Sequence, residues 1–270
     1  MTKTILITGA TDGIGLATAR TLLELGHRVI LHGRNAEKLS ALKAELSVYI
    51  EPERVATYTA DLSVISDIKH LVNTLKQAGT ELDVLINNAG VFVIPERTTP
   101  EGIDVRFMVN TIAPYLLTQA LLPDMKQGAR VINLSSAAQA SLKPQEIIAS
   151  SNLSDNAAYA KSKLALTMWS MQLGAASDDS QAMIVAVNPK SFLGSKMVEQ
   201  AYGVAGGNVQ EGADILVRAA LSEEFSGASG QYFDNDHGRF ARAHDDAYDE
   251  QKVTELLKVL EHFRQQYGFA

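Results

Sequence analysis

Residues 4–15 read TILITGATDGIG, a short β-branched and apolar run that leads into glycines at positions 9, 13 and 15. Such a run favours a buried strand of a parallel sheet. The residues that follow, GLATARTLLELG (15–26), have helical spacing and end in glycine. Glycines in a turn let the backbone approach a ligand, and the free N–H groups of a helix N-terminus attract phosphate. The stretch therefore predicts a phosphate-binding turn between strand and helix; the alternative is a turn whose glycines only let strand and helix pack.

Strand-like and helix-like segments alternate along the rest of the chain. This alternation predicts a single-domain α/β protein over residues 1–270, a doubly wound and mostly parallel sheet of about seven strands with helices on both faces. Further strand-like segments are RVILHG (28–33), RVATYTAD (54–61), LDVLINNAG (82–90), ARVINLSS (129–136), QAMIVAVNPK (181–190) and GQYFD (230–234).

Composition excludes several classes of protein. The 270 residues are 46% hydrophobic, which suits one large domain, and the net charge of −7 with scattered cations argues against nucleic-acid binding. There is no cysteine, hence no disulfide framework and no thiolate chemistry. Strand-like sequence begins at Lys3, which leaves no room for a signal or transit peptide, and no apolar run approaches the roughly 20 residues of a membrane span. We expect a cytoplasmic protein.

Tyr159 and Lys163 lie four residues apart in a predicted helix, residues 157–176. Each helical residue turns by about 100°, so a step of four leaves the two side chains on one face, whereas Lys161 points away to solvent. A nearby ammonium favours the phenolate and lowers the pKa of a phenol, which makes Tyr159 a usable general acid or base. The alternative is that Tyr159 is an ordinary residue on an amphipathic surface.

A proline interrupts another predicted helix, residues 102–125. In a continuous helix the carbonyl of Asn110 would accept from residue 114, but Pro114 has no N–H. We expect a kink and an ordered water at the free carbonyl; a proline kink that serves only packing is the alternative.

The motifs together resemble the short-chain dehydrogenase/reductase family. The glycine turn has the spacing TGxxxGxG, and the family's order continues with Asn87-Asn88-Ala89-Gly90, Asn110, Ser136 and Tyr159-x-x-x-Lys163, which covers the chain from about Lys3 to Pro189. The long gap between Ser136 and Tyr159 is similar to that of the retinol dehydrogenase-like and protochlorophyllide reductase-like branches. The resemblance implies a Rossmann-type fold and NAD(P)-dependent hydride transfer.

The resemblance also implies roles for four residues. Tyr159 would transfer the proton, Ser136 would polarise the substrate carbonyl, Lys163 would hold the nicotinamide ribose, and Asn110 would anchor a relay water. Geometry alone does not choose between Ser135 and Ser136; the family pattern selects Ser136. The residues predicted to bind the cofactor are Gly9, Thr11, Asp12, Gly13, Ile14, Gly15, Arg34, Asn35, Asp61, Leu62, Asn88, Ala89, Gly90, Tyr159, Lys163, Pro189, Ser191 and Ser195.

The end of the second strand favours NADP(H) over NAD(H). An acid at this point binds the ribose 2′-hydroxyl of NAD, whereas an arginine accommodates a 2′-phosphate. Gly33 takes the place of the acid here and Arg34 follows, although Asp12 stands where many NADP-preferring relatives have a base. An ordinary solvated arginine is the alternative. Asp61 resembles the family's adenine-flanking residue, or caps the next helix.

The chain departs from the family after the sixth strand, where the usual Pro-Gly is Pro189-Lys190. If this position requires a positive φ, Lys190 strains the loop; if not, Lys190 points to solvent, which is the interpretation we favour. We interpret residues 137–158 as an inserted loop at the pocket rim and residues 190–210 as a substrate lid. Residues 247–266 form a predicted C-terminal helix that packs on the rim or on a second subunit of a homo-oligomer (dimer or tetramer).

The sequence therefore predicts an NADP(H)-dependent carbonyl reductase or alcohol dehydrogenase acting on a small molecule, with no metal. An NADP(H)-binding redox sensor with little turnover is the alternative, for which Lys190 is the sequence support. A nucleotide-sugar epimerase shares Tyr-x-x-x-Lys but needs a larger C-terminal domain than the residues after Pro189 supply. Neither the substrate nor the direction of the reaction follows from the sequence.

Overall fold

The computed structural model describes residues 1–149, 152–177, 182–194, 197–199 and 203–269, and eight strands of this part form one sheet. Their order is β3-β2-β1-β4-β5-β6-β7-β8, and every neighbouring pair is parallel except β7 and β8. The predicted doubly wound α/β fold is confirmed. The strands are β1 (Thr4–Ile7), β2 (Arg28–Gly33), β3 (Val55–Thr59), β4 (Val84–Asn87), β5 (Arg130–Leu134), β6 (Met183–Asn188), β7 (Tyr232–Asp234) and β8 (Arg239–Ala241).

The strand β8 was not predicted from the sequence. It has only three residues and lies at the edge of the sheet, where it pairs antiparallel with β7, unlike the parallel pairs of the other strands described. A strand this short carries too few residues for a visible alternation of apolar and polar positions.

Helices cover both faces of the sheet. The α-helices are α1 (Gly13–Glu24), α2 (Ala36–Leu46), α3 (Ile65–Gln77), α4 (Val105–Phe107), α5 (Ala113–Leu121), α6 (Asp155–Ala176), α7 (Val209–Leu221) and α8 (Glu250–Gln266). A π-helical turn, Met108–Ile112, joins α4 to α5. Short 3₁₀ helices are Pro52–Arg54, Leu122–Asp124, Pro144–Ile148, Glu223–Phe225 and Asp245–Tyr248.

The core consists of two apolar layers, one on each face of the sheet. Successive side chains of a strand point to opposite faces, so Leu6 belongs to one layer while Ile5 and Ile7 belong to the other. The layer around Leu6 packs against α3, α5, α6 and α8, and the opposite layer packs against α1, α2 and α7. Both faces are therefore closed to water, as a mainly parallel sheet requires.

The strand order reverses between β1 and β4, and this point fixes the place of the site. From β1 the chain winds outward to β2 and β3, then returns to β4 on the other side of β1. The connections that leave the carboxyl ends of β1 and β4 turn to opposite faces and open a crevice between them. Residues 9–15 and 88–90 lie at this crevice.

The C-terminal helix packs on its own chain. It begins at Glu250, three residues later than predicted, after the 3₁₀ helix Asp245–Tyr248. Its apolar residues Val253, Leu256 and Leu260 are buried in the layer that contains Trp169 of α6. The predicted homo-oligomer stays a prediction.

No helix of the described residues is long and apolar enough to cross a lipid bilayer. The cytoplasmic location stays a prediction.

Candidate active site

A cavity of about 540 Å³ lies at the carboxyl ends of β1, β2, β4 and β5 and brings most of the predicted site residues together. Those that line it are Gly9, Thr11, Asp12, Gly13, Ile14, Gly15, Arg34, Asn35, Asp61, Leu62, Asn88, Ala89, Gly90, Tyr159, Lys163 and Pro189. Asn110, Ser136 and Ser191 do not line it, and Ser195 lies outside the described residues.

The glycine turn lies against the loop after β4. Gly9 has a φ of 65°, and a Cβ at Gly15 would lie 2.4 Å from both Asn88 Nδ2 and the Gly9 carbonyl oxygen. The Asn88 amide donates to the carbonyls of Thr8 and Gly9 at 2.8 and 3.0 Å. Only glycine fits at position 15, and Asn88 fixes the turn that leads into α1.

A buried histidine joins this turn to β2 and β3. The Gly9 N–H donates to His32 Nδ1 at 3.4 Å, and His32 Nε2 lies 3.1 Å from the Ala60 carbonyl oxygen. These partners require a neutral ring that carries its proton on Nε2. Burial lowers the pKa of His32 from 6.5 to about 4, the hydrogen bond to Ala60 opposing that change only in part. The ring therefore stays neutral at physiological pH.

Two cations stand at the end of the cavity beside β2. Arg34 and Lys38 are exposed and line the cavity, and within the described part of the chain neither forms an ion pair. Asn35 is the N-cap of α2 and accepts from the Lys38 N–H at 2.8 Å. Asp12 is the N-cap of α1 and accepts from the Gly13 N–H at 2.9 Å. The side of the cavity next to α2 is therefore basic, and the acid in the glycine turn has a helix-capping contact.

Asp61 lines the cavity but does not cap the helix that follows. Its carboxylate accepts from the N–H and hydroxyl of Ser63 at 2.8 and 2.7 Å. The N-cap of α3 is Val64. The alternative role considered for Asp61, a helix cap, is wrong.

Lys163 lies beside Tyr159, as the helical period predicts. Its ammonium is 5.7 Å from the centroid of the Tyr159 ring and donates to the Leu134 carbonyl oxygen at 2.6 Å. The Tyr159 ring also packs on Phe92, with centroids 4.6 Å apart. Burial lowers the pKa of Lys163 from 10.5 to about 8, so the group still carries its charge at pH 7.

Lys161 points away from Tyr159, but the expectation that it points to solvent is wrong. Its ammonium lies 2.9 and 3.0 Å from the two carboxylate oxygens of Glu146, and its side chain is only 18% exposed. Glu146 belongs to the inserted loop, whose approach to α6 depends on tertiary packing. The pair holds the predicted rim against the helix that carries Tyr159.

A second anchor holds the same loop from the C-terminal side. The Ser141 hydroxyl donates to Asp246 at 2.6 Å, and the Gln139 side chain accepts from the His244 N–H at 3.0 Å. Residues 137–149 are thus held both by α6 and by the segment before α8.

Asn110 connects three elements through its side chain. Its amide oxygen accepts from the Val91 N–H at 2.8 Å, and its amide nitrogen donates to the Val91 carbonyl at 2.9 Å and to the Ser162 hydroxyl at 3.0 Å. Ser162 in turn donates to the Tyr159 carbonyl at 2.7 Å. The predicted break in the helix takes the form of a π-helical turn around Asn110. The predicted water stays a prediction.

The two serines after β5 have different surroundings. Ser135 is 3% exposed and its hydroxyl lies 2.6 Å from that of Thr167, a contact inside the fold. Ser136 is half-buried, and its hydroxyl accepts from the Ala138 N–H at 3.1 Å, which leaves its own hydrogen available as a donor. Ser135 lines the cavity and Ser136 does not, so the assignment of the substrate carbonyl to Ser136 stays a prediction.

Lys190 has a φ of 116°, so the interpretation that its position does not need a positive φ is wrong. Its ammonium forms an ion pair with Glu211 of α7. A non-glycine residue is strained in this region of backbone space. Pro189, beside it, lines the cavity together with Tyr159 and Lys163.

Other lining residues were not predicted from the sequence. His32 lies on β2, Lys38 lies in α2 four residues after Arg34, and Phe92 is the second residue after the Asn-Asn-Ala-Gly motif. Met197 comes from the predicted lid and its methyl carbon would lie 3.6 Å from a Cβ at Gly90. Its approach to Gly90 has no signal in the sequence.

The cavity suits a dinucleotide with a nicotinamide end. The glycine turn presents the N-terminus of α1, the fitting place for a pyrophosphate. At the other end a Cβ at Gly90 would lie in van der Waals contact with the Lys163 ammonium, 3.6 Å from Nζ, so the glycine adds room before that ammonium. The chemistry of the residues present therefore fits such a group.

Comparisons with known proteins agree with this geometry. Residues 3–203 match the family described as short chain dehydrogenase. Human polyprenol dehydrogenase is 32% identical over 254 residues, which cover 87% of this chain and 77% of that protein. Human retinol dehydrogenase 13 is 29% identical over 255 residues, 86% of this chain and 76% of that protein. The crystal structure of an angucycline C-6 ketoreductase with bound NADP has a TM-score of 0.71 and 27% identity, over 86% of this chain and 93% of that chain.

Proposed function

Because this chain belongs to the short-chain dehydrogenase family, we propose that it is an oxidoreductase that uses NADP(H) to interconvert a carbonyl compound and an alcohol. The observation that carries the proposal is that one cavity holds both the glycine turn and the Tyr159–Lys163 pair. The nicotinamide, when bound, supplies or accepts the hydride. A small-molecule substrate would enter from the side of Tyr159.

Tyr159 is the proposed general acid in the direction of reduction and the general base in the direction of oxidation. Its hydroxyl would give a proton to the carbonyl oxygen as that oxygen gains charge. The Lys163 ammonium, 5.7 Å from the ring centroid, would stabilise the phenolate that remains. Ser136 would donate a hydrogen bond to the same carbonyl oxygen.

Asn110 is the proposed anchor of the relay that returns the proton. Its side chain is engaged by Val91 and Ser162, so we assign the water to its backbone carbonyl. Pro114 has no N–H to offer that carbonyl. A water bound there would pass protons between Lys163 and solvent.

Arg34 supports the choice of NADP(H) over NAD(H). It lines the cavity beside Gly33, and a guanidinium can bind a 2′-phosphate through two parallel hydrogen bonds. Lys38 lines the same end of the cavity and would add a second positive charge. Neither cation is engaged by an ion pair in the described part of the chain, so both are available to an anion.

The entrance beside Tyr159 supports an apolar substrate. Phe92, Val93, Ile94 and Met197 line the cavity there, and the Val93 side chain is 43% exposed. The names of two relatives, a polyprenol dehydrogenase and a retinol dehydrogenase, point to long apolar alcohols. We place the substrate of this protein in the same class of apolar alcohols and their carbonyl counterparts.

Turnover of Tyr159→Phe tests the function. Wild-type protein should oxidise or reduce members of a panel of apolar alcohols, ketones and aldehydes with NADP(H). The variant should lose about 10²-fold or more in turnover because the proton donor is gone. Tyr49→Phe, at an exposed tyrosine after α2, is the matched control and should keep the wild-type rate. Tight NADPH binding without Tyr159-dependent turnover on any substrate would instead favour the redox sensor.

Arg34→Ala tests the choice of cofactor. Loss of a charged hydrogen bond to a phosphate costs about 1.5–3 kcal/mol, so the Kd for NADPH should rise by about tenfold to a hundredfold. The Kd for NADH should stay constant. A rise that is equal for both nucleotides would contradict the assignment of Arg34 to the 2′-phosphate.

A further inference from the structure

Residues 188–191, the end of β6 and the loop after it, border the cavity where Tyr159 and Lys163 lie. Pro189 supplies the lining, and the next residue, Lys190, has the φ of 116° that non-glycine residues avoid. A conformation of this kind persists only where its surroundings fix it. The neighbouring residues therefore have to hold this loop.

The turn between β7 and β8, residues 235–238, contacts the loop on both sides of Lys190. The Asp236 carboxylate accepts from Asn188 Nδ2 at 2.9 Å on one side, and from the Ser191 N–H and hydroxyl at 2.9 and 2.6 Å on the other. One carboxylate thus bridges Asn188 and Ser191, which lie on either side of the strained Lys190.

Further hydrogen bonds fix the loop between these two points. Asn235 donates from its N–H to the Asn188 carbonyl at 3.1 Å and from its side chain to the Pro189 carbonyl at 3.0 Å. The Lys190 ammonium reaches Glu211 of α7, so its side chain is also fixed from outside the loop. Of the residues that make these contacts, Asp236 is the one that binds residues both before and after Lys190.

We propose that Asp236 is a positioning residue for the nicotinamide end of the site, whose carboxylate holds residues 188–191 in the left-handed conformation at Lys190. Three hydrogen bonds to a carboxylate stabilise its ionised form, and they outweigh partial burial, so the pKa of Asp236 is lowered. The inference rests on the proposed function, because it assigns Asp236 to the binding of the same cofactor. It also explains how a lysine serves where the family usually has glycine.

Binding of two ligands to a small set of variants tests this role. NADPH spans the whole cavity, whereas adenosine 2′,5′-bisphosphate lacks the nicotinamide end and so does not reach residues 188–191. Asp236→Ala should raise the Kd for NADPH by about tenfold or more, because several charged hydrogen bonds are lost, and should leave the Kd for the bisphosphate within about twofold. Asp245→Ala, at a side chain that is 87% exposed, is the matched control and should change neither.

Repeating the Asp236→Ala measurement in Lys190→Gly protein tests whether Asp236 acts through the backbone conformation at position 190. Glycine adopts positive φ without a side-chain clash, so in Lys190→Gly protein the loss caused by Asp236→Ala should shrink to about threefold or less. If the Asp236→Ala protein does not fold, Asp236→Asn serves instead, because it keeps the size of the side chain. This variant should also raise the Kd for NADPH and not that for the bisphosphate, but by a smaller factor.

Three results would overturn the role of Asp236. They are an unchanged Kd for NADPH, an equal loss for both ligands, and the same loss with lysine or glycine at position 190. If the wild-type protein binds neither ligand, the proposed function is refuted, and this inference with it. If the wild-type protein binds NADPH and Asp236→Ala leaves the Kd unchanged, only the inference is refuted.

Discussion

Replacing Lys163 by methionine should change how stability depends on pH. Burial lowers the pKa of this lysine from 10.5 to about 8. Since a tenfold change in an acid constant is worth about 1.4 kcal/mol, the fold disfavours the ammonium by about 3 kcal/mol relative to the unfolded chain. Methionine keeps most of the apolar stem and carries no proton, so the variant is free of this penalty.

The direction of the effect follows from the order of the two pKa values. The folded pKa lies below the unfolded one, so between pH 8 and 10.5 the unfolded chain binds more protons than the folded chain. The free energy of unfolding of the wild type should therefore rise by about 3 kcal/mol across this window through Lys163, and Lys163 should contribute no pH dependence below it. The variant should lack this rise.

Methionine also removes the hydrogen bond to the Leu134 carbonyl. An unsatisfied buried acceptor costs about 1–3 kcal/mol, which lowers the stability of the variant by a similar amount at each pH. The absolute difference between variant and wild type is thus a sum of two opposing effects. The lost hydrogen bond contributes equally at each pH, so the change of this difference with pH reports the effect of burying the Lys163 charge.

Urea unfolding followed by circular dichroism, at several values between about pH 7 and 10.5, measures the difference between variant and wild type. Both proteins carry Tyr159→Phe, because Lys163 also favours ionisation of the Tyr159 phenol. The remaining titrating groups cancel because both proteins share them. Lys258→Met, on the exposed side of α8, controls for the loss of one lysine. A difference between Lys163→Met and wild type that is the same at every pH would refute the argument that burial sets the charge of Lys163.

Three further predictions concern other parts of the site. The pKa of His32 is about 4 in the folded protein and 6.5 in the unfolded chain. The free energy of unfolding of the wild type should therefore fall by about 3 kcal/mol as pH drops from 6.5 to 4. His32→Gln should remove this fall, which unfolding measurements across this pH range would show. Gly15→Ala puts a Cβ 2.4 Å from Asn88 Nδ2 and should weaken NADPH binding, measured by fluorescence titration, by about tenfold or more, while Gly227→Ala, in open space, should not. Lys161→Met breaks the ion pair that holds the inserted loop and should raise the KM for substrate without changing the Kd for NADPH; an equal change in both would count against its place at the substrate rim.

The sequence alone predicts the fold and most of the cofactor cavity, because these depend on local patterns. The alternation of strand and helix follows from the periods of apolar residues, and parallel strands of such a chain have to present their carboxyl ends at one edge. The turn with Gly9, Gly13 and Gly15 lies at that edge by its position in the chain. The helical period likewise assigns Lys163 rather than Lys161 to Tyr159, and the structure confirms that pairing.

Tertiary structure decides what depends on residues that are distant in the chain. The partner of Lys161 is Glu146, 15 residues away in a loop without a clear period, and the bond from Asn110 to Ser162 spans 52 residues. The φ of Lys190 is the sharpest case, because the backbone conformation of one lysine is fixed by a carboxylate that lies more than 40 residues later, at Asp236. A sequence pattern reports the preference of a residue for its own backbone region; only the packed structure shows which contacts overcome that preference.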